Sequence, residues 1–195
     1  VGGAVNPDDV VFLLVVLAPL FAAQWRASLL GLAAQGVLLW RASGAAGGFD
    51  AVDLLLLRGL VAPVLLWRVY KGSDRNDVIP ASLFGWGSVG ALTLAAFAFA
   101  AALDGGATGG RTAAATAALL LGFFVLASQD GVFSQLVGVL RIENAVALFE
   151  LTLPRDHPDP VVRCAQVAAT AGATLLAAWY LRELRGASPP APEAP

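Results

Sequence analysis

The sequence predicts an all-α, polytopic transmembrane helix bundle with about seven spans, its amino terminus outside and its carboxyl terminus inside. Three observations carry this. First, 58% of the residues are hydrophobic and only 13% charged, against roughly 45–50% and 25% in soluble domains. Second, the mean hydropathy is +0.75, and the apolar residues fall into long runs separated by short polar stretches. Third, lysine and arginine collect in alternate connections, as they do when one side of a membrane keeps the positive charge.

A span needs about 20 apolar residues at about 1.5 Å each to cross roughly 30 Å of hydrocarbon. An acidic leader, "VGGAVNPDD" (1–9), precedes the first run and predicts a tail without a cleavable signal peptide. The first run is "VVFLLVVLAPLFAAQW" (10–25). The second, "ASLLGLAAQGVLLW" (27–40), is short and bracketed by Arg26 and Arg41, which must snorkel. The third is "AVDLLLLRGLVAPVLLWRVY" (51–70), in which Pro63 lacks the donor for the carbonyl of Gly59 and predicts a kink beside Arg58. The fourth, 78–103, is long and Gly-rich at its start. The fifth is "TAAATAALLLGFFVLASQ" (112–129) and the sixth "GVFSQLVGVLRIENAVALFELTL" (131–153). After "PRDHPDP" comes the seventh, "VVRCAQVAATAGATLLAAWYL" (161–181). The domain organisation is thus a tail (1–9), a helical membrane domain (10–182) and a disordered Pro-rich tail (183–195).

With the amino terminus outside, the inner side holds Arg26, Arg68, Lys71, Arg75, Arg182 and Arg185. The outer side holds Arg41, Arg111, Arg155 and Arg163. Trp25, Trp40, Trp67 and Trp179 fall at span ends as an aromatic belt.

The net charge of -2, without a dense basic block, argues against nucleic acid as a partner. One cysteine and one histidine cannot build a disulfide, a cysteine-ligated cluster or a multi-histidine metal site, so no cofactor or metal is expected in this chain. Cys164 reads as a buried small hydrophobe and His157 as a surface loop residue. Ser88 in "GWGSVG" has no intramembrane base, and "DGGATGGR" lacks the Lys-Ser/Thr of a phosphate-binding loop. No catalytic residue is expected.

What remains is polar residues at depth. An ionised side chain at the bilayer centre costs about 2.5–3.5 kcal/mol on insertion scales, so it needs a partner, water or a use. Arg58, Arg141 and Glu143 meet that description. At about 100° per residue, Arg141 points about 200° away from Glu143, so each looks to a different neighbour. Arg58 and Glu143 match in depth within about one helical turn, which predicts an Arg58–Glu143 pair, direct or through water. Arg141 is then expected to face a partner subunit. Gln35 and Asn144 are mid-helix amides that read as interhelical hydrogen bonders. Asp50 and Asp53 read as solvated charges near a helix start, and Glu150 as an interfacial residue. Two uses fit this set. One is a static interhelical network; the other is a proton path in which Glu143 takes up and releases a proton.

"QLVGVLRIENAVALFELTLP" (135–154) and "LLLLRGLVAPVLLWRVYK" (54–71) resemble the hydrogenase-4 component E family. These are membrane subunits of group 4 hydrogenase complexes of the formate hydrogenlyase type. The family is related to the K-type subunit of respiratory complex I and the C subunit of multi-subunit cation/proton antiporters. The resemblance implies a non-catalytic subunit in the bacterial cytoplasmic membrane, bridging antiporter-like subunits and the membrane anchor of a redox enzyme. Iron–sulfur or nickel–iron centres would then sit only on partner subunits. The K-type subunits carry an intramembrane glutamate on the matching helix; in register it falls at Leu140 here, with Glu143 one turn later. A purely structural assembly subunit and a stand-alone small transporter or channel are the competing readings.

Overall fold

The computed structural model describes residues 6–22, 24–45, 47–71, 83–104, 109–152 and 160–186, and every regular element in them is helical. In chain order these are α1 (Pro7–Ala22), α2 (Trp25–Ala42), α3, α4 (Leu83–Asp104), α5 (Gly109–Ser128), α6 (Val132–Glu150) and α7 (Pro160–Gly186). Helix α3 has two parts, a π-helical segment Ala51–Val61 followed without a gap by an α-helical segment Ala62–Tyr70. Arg75, Arg155 and His157 lie outside the described residues, as do both terminal stretches 1–5 and 187–195.

Local chemistry sets the helix ends. Pro7 opens α1, where a missing N–H costs nothing, and the Asn6 side chain accepts the Asp8 N–H at 3.0 Å. Asp8 and Asp9 complement the positive end of the helix dipole. Helix α2 stops where Gly44 takes φ 86. The Ala45 N–H reaches the Trp40 carbonyl at 3.0 Å and the Gly44 N–H reaches that of Arg41 at 2.9 Å, a Schellman closure. In α3 the bonding steps from i−5 to i−4 at Pro63. The Ala62 N–H still bonds the Leu57 carbonyl, and the proline then offers no N–H to continue either ladder.

The helices alternate in direction. At one end, called the outer end here, lie the start of α1, the end of α2 and the starts of α3, α5 and α7. Ion pairs Asp8–Arg41, Asp9–Arg111 and Asp50–Arg163 tie them together. At the opposite, inner end, Trp25 meets Tyr70 edge-on with centroids 5.4 Å apart, and Tyr70 stacks on Phe133 at 4.2 Å. That stack belongs to a core cluster containing Leu29, Leu32, Leu66, Val137, Leu140 and Leu181. A second cluster joins Phe12 and Val16 of α1 to Leu38, Leu39, Leu54, Leu121 and Leu148. Alanines 113, 114, 115, 117 and 118 line the buried side of α5, and such small residues let neighbouring helices approach closely.

Four of these helices are long and apolar enough to cross a membrane: α4, α5, α6 and α7. Helix α1, with 16 residues, rises only about 24 Å. Helix α2 carries Arg26 and Arg41 near its ends, and α3 is interrupted by its change of register. The outer faces of α4 and α7 are apolar and open, with Leu94 74%, Leu176 62% and Trp179 59% exposed. Trp67 and Trp179 are exposed, whereas Trp25 is drawn into the aromatic stack. Cys164 is exposed rather than buried, because it lies on the open flank of α7.

Candidate functional site: a buried guanidinium network

Helices α2 and α3 meet backbone to backbone. A Cβ on Gly36 would fall 2.3 Å from the Gly59 Cα and 2.8 Å from the Leu54 carbonyl oxygen, so nothing larger than hydrogen fits there. The sequence neighbours of these glycines are Gln35 and Arg58. The closest approach of two helices therefore sets an amide and a guanidinium side by side in the interior.

Arg58 is 8% exposed and bonds through all three of its nitrogens. Its Nε donates to Oδ2 of Asp53 at 3.2 Å, Nη1 to Oδ1 of Asn144 at 3.4 Å and Nη2 to Oγ1 of Thr170 at 3.0 Å. Asn144 in turn donates through Nδ2 to Oε1 of Gln35 at 3.1 Å. Thr174 donates to the Thr170 carbonyl at 2.9 Å, fixing the hydroxyl-bearing stretch of α7. One cation thus links α2, α3, α6 and α7 at about 9–15 Å from the outer end. Asp53 Oδ1 and Gln35 Nε2 are left as an open acceptor and an open donor at the two ends of the chain of bonds.

The π-helical backbone positions the Asp53–Arg58 pair. In an α-helix residues five apart diverge by about 140°, whereas hydrogen bonding from i to i+5 stacks them one turn above another. Asp53, read from sequence as a solvated charge, is 6% exposed and supplies the counter-charge expected from Glu143. Glu143 itself is half-buried and within electrostatic reach of both Arg58 and Asp53, yet no hydrogen bond or ion pair joins it to either.

The other candidates fall as follows. Gln35 and Asn144 meet across α2 and α6. Arg141 is 3% exposed and points into the bundle, not toward a partner, because the buried arc of α6 runs through Val137, Arg141, Asn144 and Leu148. Asp50 pairs with Arg163, and Glu150 accepts a bond from Gln166 at 2.7 Å. Thr170 was missed; in sequence it is one hydroxyl among several on a small-residue helix, and only the fold brings it to Arg58. Among the described residues no group of His, Cys, Asp and Glu could hold a metal ion.

In comparisons with known proteins, no family model, no curated protein and no solved structure matches the chain.

Proposed function

We propose that the chain is a non-catalytic integral membrane subunit of a redox-driven, ion-translocating complex of the complex I or group 4 hydrogenase type. It crosses the bacterial cytoplasmic membrane seven times, with the outer end of the bundle facing away from the cytoplasm. Charge supports that orientation. Among the described side chains, Arg26, Arg68, Lys71 and Arg182 lie at the inner end, against Arg41, Arg111 and Arg163 at the outer end. The open apolar flanks of α4 and α7 suit lipid and antiporter-like neighbours.

The observation that carries the reading is the Arg58 network itself. Two carboxylates, Asp53 and Glu143, attend one guanidinium, and only Asp53 is bonded to it. The second negative charge is balanced most simply by a proton, so Glu143 is the protonatable element and Asp53 the fixed counter-ion. The open Asp53 oxygen gives water a place to bond. A Glu143→Gln substitution in the assembled complex tests this. Redox turnover is expected to persist while proton translocation falls; unchanged translocation rejects a path through Glu143. The competing structural reading draws on the closed geometry of the Arg58–Asp53 pair. It predicts that Arg58→Ala or Glu143→Gln lowers the yield of assembled complex on a native gel.

A further inference from the structure

A second buried cation lacks a counter-charge among the described residues. Arg141 stands at the middle of α6, about nine residues or 14 Å from either end, and is 3% exposed. Among the described residues no acid pairs with it, and its Nε and Nη2 are enclosed without a hydrogen-bond acceptor. These two atoms are not an arbitrary pair. Nε–H and the adjacent N–H of Nη2 lie parallel on one edge of the planar group, the edge that engages both oxygens of a carboxylate.

A third open donor lies on the neighbouring helix. Arg58 needs an acceptor from Asn144, which turns the Asn144 Nδ2 toward Gln35, and Gln35 must answer with its Oε1. That fixes the Gln35 Nε2 as a donor facing elsewhere; it is buried and unpartnered, in a residue 0% exposed. Arg141 and Asn144, three residues apart, share the buried face of α6. The open positions of Arg141 and Gln35 are thus all donors. Water would satisfy donors but leave the charge. Because Asp53 already balances Arg58, one positive charge remains for a single anion.

We propose that the open donors of Arg141 and of Gln35, which is bonded to Asn144 on the same buried face of α6, bind a small monovalent oxyanion with two coplanar oxygens, of the carboxylate or bicarbonate type, inside the helix bundle. The inference is independent of a proton role for Glu143, which lies on the opposite side of α6. A partner's acid is not the occupant, since the Nε–Nη2 edge is enclosed by this chain's own helices.

The test uses the full chain in detergent, with acetate, nitrate and chloride titrated at constant ionic strength while thermal unfolding is followed. Acetate and nitrate are expected to raise the midpoint by several degrees and to saturate, with chloride, which is spherical, doing less. Arg141→Lys keeps the charge without the paired donors, so the preference for the planar anions should vanish. Arg141→Gln should abolish the response. Equal shifts with all three anions, no shift, or a response that survives in Arg141→Gln would each overturn the assignment. Should Arg141→Gln yield no folded protein, the wild-type comparison of acetate with chloride decides alone.

Discussion

The Nε of Arg58 lies 3.2 Å from Oδ2 of Asp53, five positions earlier on the same π-helical segment. Both side chains are under one-tenth exposed, so the pair lives in the low-dielectric interior. Removing one partner of such a pair strands the other, at a cost of about 3–5 kcal/mol, whereas replacing both with apolar residues is often neutral. Asp53→Leu and Arg58→Met are each expected to lower the unfolding midpoint in detergent sharply, and the double variant to recover most of the loss. A double variant as poor as the sum of the singles would mean that the pair is not the unit holding α3.

The contact between Gly36 and Gly59 predicts an asymmetry. A methyl group on Gly36 would sit 2.3 Å from the Gly59 Cα, while one on Gly59 would find its nearest atoms at 3.5 and 3.6 Å, ordinary packing distances. Gly36→Ala must therefore push α2 from α3, costing about 1–3 kcal/mol as overpacking does, and it pulls Gln35 away from Asn144. Gly59→Ala should be nearly neutral or gain from better helix propensity. Thermal unfolding of the two variants side by side reads the difference directly; equal losses would remove the close approach as its cause.

Much of this arrangement is legible in the sequence, and the reasons for the rest are physical. The apolar run 131–153 became α6, Val132–Glu150, and the run 112–129 became α5, Gly109–Ser128. Burial cost singles out Arg58, Arg141 and Glu143, of which Arg58 joins the bonded set, and Gln35 and Asn144, read as interhelical hydrogen bonders, meet each other within it. The partner of Arg58 was not readable, because a wheel of 3.6 residues per turn puts Asp53 on another face and only π geometry restores it. The direction of Arg141 relative to Glu143 follows from helix periodicity, but what lies in that direction is a matter of packing. It is the bundle interior.

Glu143 offers a sharp contrast with Asp53 because among the described residues it has no bonded partner to lose. Glu143→Gln is expected to leave the unfolding midpoint of the isolated chain unchanged or slightly raised, since a neutral amide stands in for the protonated acid and strands no bonded partner. Asp53→Asn should lower it. If Glu143→Gln destabilised the chain as much as Asp53→Asn, Glu143 would be a structural anchor rather than a protonatable site.

Orientation can be read from the two ends of the bundle. Gly47, in the α2–α3 connection, is exposed at the outer end, and Lys71, closing α3, is exposed at the inner end. With Cys164 replaced by serine, single cysteines at these positions should separate under a membrane-impermeant maleimide applied to intact cells. Gly47→Cys is expected to label from outside, and Lys71→Cys only after the membrane is opened. The logic is the positive-inside rule: charges that are exposed at the inner end resist translocation, and the acids facing Arg41, Arg111 and Arg163 contribute little to that count. The reverse labelling pattern would invert the topology. It would also place the buried set around Arg58 nearer the cytoplasmic face, so that a proton reaching Glu143 by the shorter route would enter from inside the cell.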